Sequence, residues 1–237
     1  MKRIRTSWPV SCGTNLAASA VTTPELQAWL DDHSSMPDMQ LAILDAAAKV
    51  FTTYGFAAAS VDAIAKEVNA TKGSVYYYYR SKADLFFAVH KRAMTMNLQT
   101  QVPIAKDPCL DALQKLQTMA YQHAMLMMDH LYYQRVTVQG VELHQSASTT
   151  ADERVALAEV MAMRDAYEEL FQEVLQAGID HGVFEAVDSN MAAKGILGIL
   201  NWITVWYRPR DTDTKVYKEK IAQQFARQAV FGVRSSH

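Results

Sequence analysis

Cysteine is almost absent from this chain. Cys12 and Cys109 are the two among 237 residues, and neither has a CxxC neighbour. A disulfide scaffold and a structural zinc site are thereby excluded. Glycine (nine) and proline (six) are scarce too. No GxGxxG, Walker A or GxSxG sequence occurs, so neither a phosphate-cradling loop nor a nucleophile elbow is indicated. His123, His130 and His144 make no i, i+4 pair, and there is no HExxH or acidic metal box. The longest apolar run, Gly195 to Tyr207, is too short for a bilayer and carries Asn201. The basic residues Lys2, Arg3 and Arg5 precede Trp8-Pro9 and a polar stretch from Ser11 to Asn15, which breaks any secretory h-region. These absences set an expectation: a cytoplasmic protein with no membrane partner, no cofactor, no metal and no enzymatic activity.

What is present is ordinary globular material. Half the residues are apolar, a fifth are charged and a tenth aromatic, enough to bury a sizeable core in one large or two small domains. The formal charge of −2 hides an uneven distribution. Residues 39–93 carry seven basic groups against four acids, whereas residues 1–38 and 94–237 are both net acidic. A local basic excess in an acidic chain suits a small polyanion-binding module joined to a different kind of domain, although a solvated helix face produces similar fluctuations.

The hydrophobic period is helical almost throughout, and the expected fold class is all-α. Residues 1–37 lack sustained periodicity except at Leu26–Leu30, which is compatible with a short helix, and read as a mobile N-terminal extension. From Asp38, the residues Ile43, Ala47, Val50, Phe51 and Tyr54 recur at helix spacing up to Gly55. A short helix follows Ser60, a second runs from Lys72 to about Tyr78, and Ser81 with Asp84 opens a fourth helix ending near Leu98. Pro103 and Pro108 then divide a 38–98 domain from a 99–237 domain. The latter is expected to hold helices at about 110–130, 132–147, 152–180, 189–207 and 213–232.

The informative stretch is SVDAIAKEVNATKGSVYYYYRSK, residues 60–82. Two short amphipathic helices joined by a three- to four-residue turn make a helix-turn-helix unit, whose second helix fits the major groove of DNA. Val75 and Tyr79, four apart, are expected to face the core, leaving Thr71, Lys72, Ser74, Tyr76, Tyr77 and Tyr78 outward or sideways. Four consecutive tyrosines suit a surface where phenol hydroxyls bond phosphates while the rings pack on sugar or a thymine methyl. Packing against neighbouring helices is the competing reading, evenly matched for Tyr78. Ser60 is positioned to donate to a phosphate at a helix N-terminus, and Lys82 to pair with one.

These residues resemble the DNA-binding domain of the tetracycline-repressor (TetR) family. The match runs from Leu41 to about Val89, roughly a fifth of the chain. It passes through Ala46-Ala47, Phe51…Gly55-Phe56, Ser60-Val61…Ile64-Ala65, Ala70 to Tyr79, and Ser81-Lys82-Ala83-Asp84-Leu85. Asn69, where Ala or Gly is usual, and Tyr79, where Phe is most frequent, depart from the pattern. The resemblance implies a homodimeric repressor that binds a pseudo-palindromic double-stranded operator and dissociates when a small effector enters the C-terminal domain. It also implies that Thr71, Lys72, Ser74 and Tyr76 lie near base edges, while Ser60, Tyr77, Tyr78 and Lys82 touch phosphates.

The C-terminal region is expected to hold the effector cavity and the dimer face. The helix near 110–130 carries flexible apolar groups, among them Met119 and Met127, that would adapt to variable ligands; plain core packing is the competing reading. Two helices apolar on more than one stripe look like a dimer bundle, with Phe171 and Leu175 on one and Ile199, Trp202 and Trp206 on the other. Gly195 and Gly198 allow close helix approach. The run Gly198–Trp202…Trp206–Pro209 resembles a signature of the family's acyl-CoA-responsive subgroup, which implies basic residues near a pocket mouth. Arg135, Arg164 and Arg208 are the candidates, each with an ordinary salt bridge as its alternative. Two other readings stay open: an effector-independent helix-turn-helix factor, and a helical small-molecule-binding protein with a vestigial N-terminal module.

Overall fold

A computed structural model describes residues 24–31, 36–145 and 150–233, and within them there are eleven helices and no strand. The elements are α1 (Pro24–Asp31), α2 (Asp38–Ala58), α3 (Val61–Glu67), α4 (Lys72–Tyr78) and α5 (Lys82–Ala105), then α6 (Ala112–Asp129) and α7 (Leu131–Gln145). The chain continues through α8 (Ala151–Asp180), α9 (Ser189–Asn201), α10 (Ile203–Trp206) and α11 (Lys215–Phe231). The caps explain most of the starts. Ser60, Thr71, Ser81, Asp111, Thr150, Asp188 and Thr214 each accept a hydrogen bond from the backbone N–H three residues on, satisfying a donor that the helix itself leaves free. Asp111 with Gln114 and Thr150 with Glu153 complete reciprocal capping boxes.

Two apolar cores divide along α5. The first gathers α2, α3, α4 and the front of α5 around Ile43, Leu44, Ile64, Val75 and Leu85. The second gathers the rear of α5 with α6, α8, α9, α10 and α11 around Leu98, Leu116, Met119, Phe171 and Leu200. On α5 the change falls between Ala93 and Met94. The helix expected to stop near Leu98 runs on to Ala105, with Pro103 in its last turn, so the boundary at 98/99 lies inside a continuous helix. By length and composition α2 could cross a membrane, but its apolar residues Ile43, Leu44, Val50 and Phe51 are sealed in the first core.

The short helix at Leu26–Leu30 is present but packed, and one further helix is interrupted. Pro24–Asp31 is a helix that lies against α5: Leu26 enters the second core, and the Trp29 and Leu30 carbonyls accept from Thr95 and Gln99. The mobile-arm reading of residues 1–23 falls outside the described residues. The helix expected over 189–207 is broken at Trp202 into α9 and the four-residue α10.

Candidate nucleic-acid interface and companion surfaces

α3 and α4 are held as a unit by buried anchors. Val61, Ile64 and Ala65 pack from α3, Val75 and Tyr79 from α4. The turn between them places Asn69 at φ 51°, a left-handed conformation that asparagine tolerates better than other side-chain-bearing residues. That is the physical reason Asn can stand where the family uses a smaller residue. Tyr79 is sealed, and burial pushes its phenol up to about 12.

The outward side of α4 carries the expected residues. Thr71, Lys72 and Gly73 are exposed and Ser74 is half-buried. Tyr76 is 44% and Tyr77 81% exposed, which leaves both phenols available to a ligand outside the chain. Tyr78 is half-buried against the first core and meets the Tyr77 ring edge-on at 4.9 Å, so it supports its neighbour as much as it faces solvent. Thr71 Oγ1 accepts from Ser74 N (3.1 Å) and pairs with Ser74 Oγ (2.9 Å), leaving one hydroxyl proton between them. Ser60 Oγ accepts from Ala63 N at 3.1 Å and keeps its own proton to donate. Lys72 Nζ donates to Asp62 at 2.8 Å, and that hydrogen bond holds its pKa above the usual value. A phosphate at this point would exchange with an exposed carboxylate, a small cost. Lys66 and Arg80 are two further exposed cations on the same module and belong to its local basic excess.

Lys82, expected to pair with a phosphate, is engaged within the chain. Its ammonium donates to Phe56 O (2.8 Å), Ala57 O (3.2 Å) and Ala59 O (3.0 Å), and lies 4.6 Å from the centre of the Phe56 ring. An ammonium has three protons, and here all three are used. Lys82 therefore closes the carbonyl end of α2, where Gly55 at φ 75° turns the chain toward α3.

The effector candidates do not converge. Met119 and Met127 are fully buried core residues. Arg135 donates to Thr204 O and Tyr207 O, and Arg208 to Val205 O and Tyr207 O, so both close the end of α10. Arg164 is half-buried on α8. A cleft of about 540 Å³ lies elsewhere, between the rear of α5, the front of α6 and the rear of α8. It is lined by Ala105, Ala112 and Val174 together with Lys106, Asp111, Lys115, Glu173 and His181, and Lys106 is ion-paired with Glu173 at 2.7 Å.

The dimer candidates separate into two groups. Phe171 and Leu175 are wholly enclosed in the second core; α5, α6 and α9 cover α8 from within the chain, so neither residue is free to meet a partner. Ile199 (41%), Trp202 (60%) and Trp206 (38%) are exposed. A side chain added at Gly195 or Gly198 would meet nothing in the chain. Met191 and Phe231, not singled out by the sequence, extend the exposed apolar residues on α9 and α11.

A buried polar group lies inside the second core. The His123 imidazole is hydrogen-bonded to the Tyr167 hydroxyl (Nδ1, 2.6 Å) and to Asn201 Oδ1 (Nε2, 3.0 Å). Asn201 Oδ1 only accepts, so Nε2 carries the proton and Nδ1 accepts from Tyr167. Burial lowers the His123 pKa to about 4. Between pH 6.5 and 4 the unfolded chain therefore binds a proton that the fold excludes, and stability falls as the solution is acidified. At pH 5 the loss from this residue is on the order of 2 kcal/mol. Thermal melts from pH 7.5 to 5 are expected to drop, and His123→Asn to flatten that drop. Equal pH slopes for both proteins would contradict this.

An exposed helix-turn-helix head on an all-helical body defines the class: a DNA-binding transcriptional regulator. The family model of bacterial regulatory proteins of the tetR family matches residues 43–89, and that of the tetracyclin repressor-like C-terminal domain matches residues 109–233. The second alone spans over half the chain, and the chain belongs to the TetR family. It is 26% identical over 169 residues to the fatty acid metabolism regulator protein of Bacillus subtilis, covering 70% of this chain and 82% of that one. It superposes on the TetR family regulator PfmR from Thermus thermophilus with a TM-score of 0.67 at 25% identity, over 80% of this chain and 97% of the other. AibR, solved with isovaleryl coenzyme A and operator DNA, shares the fold at a TM-score of 0.66 and 20% identity, over 81% and 97% of the two chains.

Proposed function

We propose that this protein is a homodimeric repressor that leaves a pseudo-palindromic operator when an amphipathic effector of the acyl-CoA class binds its C-terminal domain. The observation that carries the reading is the outward Tyr76–Tyr77 surface on α4, together with a second exposed patch, Ile199, Trp202 and Trp206, on α9 and α10. One surface suits DNA; the other suits a second copy of the chain, which brings two heads to successive turns of the duplex. Thr71, Lys72, Ser74 and Tyr76 take the base edges in this reading, with Ser60, Tyr77 and Tyr78 on phosphates. The effector class rests on the likeness to the Bacillus fatty acid regulator and on the isovaleryl-CoA complex of AibR. The cleft lined by Ala105, Ala112 and Val174 suits the acyl part of such a ligand, with Lys115 beside it for a phosphate and Lys106 held in an ion pair with Glu173.

The test is a thermal-shift titration with palmitoyl-CoA, isovaleryl-CoA and coenzyme A alone, alongside release of DNA. At a hundred-fold excess over Kd, a true effector is expected to raise Tm by about 5 °C or more and to lower DNA affinity. The packed state of Met119 and Met127 favours a second reading, a helix-turn-helix factor with no effector. DNA binding with no thioester-induced shift would select it.

A further inference from the structure

Four consecutive residues at the start of α7 reach three other helices, α2, α5 and α10. The Tyr132 carbonyl accepts from Thr52 Oγ1 of α2 at 3.1 Å. The Tyr133 hydroxyl donates to Asp45 of α2 at 2.7 Å, and its ring lies under the Arg92 guanidinium of α5 at 5.9 Å. Gln134 and Asn97 of α5 exchange two amide hydrogen bonds, 2.7 and 3.2 Å, both side chains buried. Arg135 donates through Nε to Thr204 O (2.8 Å) and through Nη2 to Tyr207 O (2.7 Å), at the end of α10.

α2 belongs to the helix-turn-helix core, α5 runs through both cores, and α10 carries Trp206 of the exposed apolar patch. A four-residue helix makes too few internal bonds to hold its own direction; α10 is held by its buried Ile203 and Thr204, by Arg208 locally, and by Arg135, whose guanidinium ties its carbonyls to α7. The polar contacts are directional where apolar packing is not. They fix an angle as well as a distance.

We propose that residues 132–135 form a rigid joint that sets the orientation of the reading head relative to the Trp202–Trp206 face, and that Arg135 is a positioning residue for operator recognition. This rests on the reading that the exposed face pairs two copies. Only then does the angle set the spacing of two heads on DNA. Random DNA, bound through phosphates without a fixed register, does not require that spacing. Arg135 thus acts on sequence preference from the far side of the molecule, without touching DNA or effector.

The test uses the full chain and the duplex that the wild type selects from a random library. Arg135→Met, Tyr133→Phe and their combination are compared by fluorescence anisotropy on that duplex and on a random one, with mass from light scattering. Each single change is expected to weaken the selected duplex about ten-fold and the random duplex less than two-fold, with the dimer retained. Arg135→Lys is expected to recover part of the loss. The double variant should be no weaker than the worse single one, because both changes release the same joint. Asp45→Ala reaches it from an exposed position, should Arg135→Met fail to fold. Losses that add, or that fall equally on both duplexes, overturn the joint while leaving the dimer. A monomeric wild type overturns the pairing reading and the joint with it.

Discussion

Ile199→Asp combined with Trp202→Asp is expected to turn a dimer into a 26.5 kDa monomer and to lower operator affinity at least a hundred-fold. Both side chains are exposed in the single chain, Ile199 by 41% and Trp202 by 60%, so the substitutions leave the protomer core untouched. A large apolar side chain buried at an interface contributes about 1.5–3 kcal/mol, and a twofold axis applies each change twice. An aspartate in its place also brings an unpaired carboxylate against apolar surface. Affinity falls further because two linked heads bind with an effective concentration that a lone head lacks. Light scattering gives the mass and anisotropy the affinity. An unchanged mass would place the partner surface elsewhere.

The second large effect is expected at Lys82. Lys82→Met keeps the aliphatic stem but removes the ammonium that binds Phe56 O, Ala57 O and Ala59 O. Charge-assisted hydrogen bonds contribute about 1.5–3 kcal/mol each where buried, and these are part-exposed, so a combined loss of about 2–4 kcal/mol is expected. The α2–α3 connection loosens, and selected DNA should be lost ahead of random DNA because the head is no longer aimed. A direct phosphate contact predicts otherwise: an unchanged melting temperature, weaker binding to both duplexes, and a salt dependence shallower by about one contact. Urea unfolding and a salt titration on one variant separate the two.

The reading head was legible because its determinants are local. Caps at Ser60, Thr71 and Ser81, apolar spacing through Ile64 and Val75, and the tyrosine run all lie within a few residues of what they control. Lys82 was not, since its partners lie more than twenty residues away on α2 and a lysine beside a DNA-binding helix fits a phosphate equally well on paper. The same limit governs the apolar helices. Phe171 and Ile199 both lie on helices with more than one apolar stripe, and periodicity does not say which stripe the chain covers itself. α5, α6 and α9 pack on α8 and enclose Phe171, whereas α9 leaves Ile199 bare. Arg135 is the converse: a cation whose type suits an incoming phosphate is spent on the carbonyls of a short helix that no local pattern separates from α9.

The most direct test of the whole account is equilibrium binding by the wild type and by Tyr76→Ala with Tyr77→Ala to fragments of its own upstream DNA. Both phenols are outward, so the variant should melt with the wild type. It is predicted to bind the fragment retained by the wild type at least ten-fold more weakly. Equal binding by the two proteins, or a wild type that retains no fragment at low salt, would contradict the claim that this surface reads DNA.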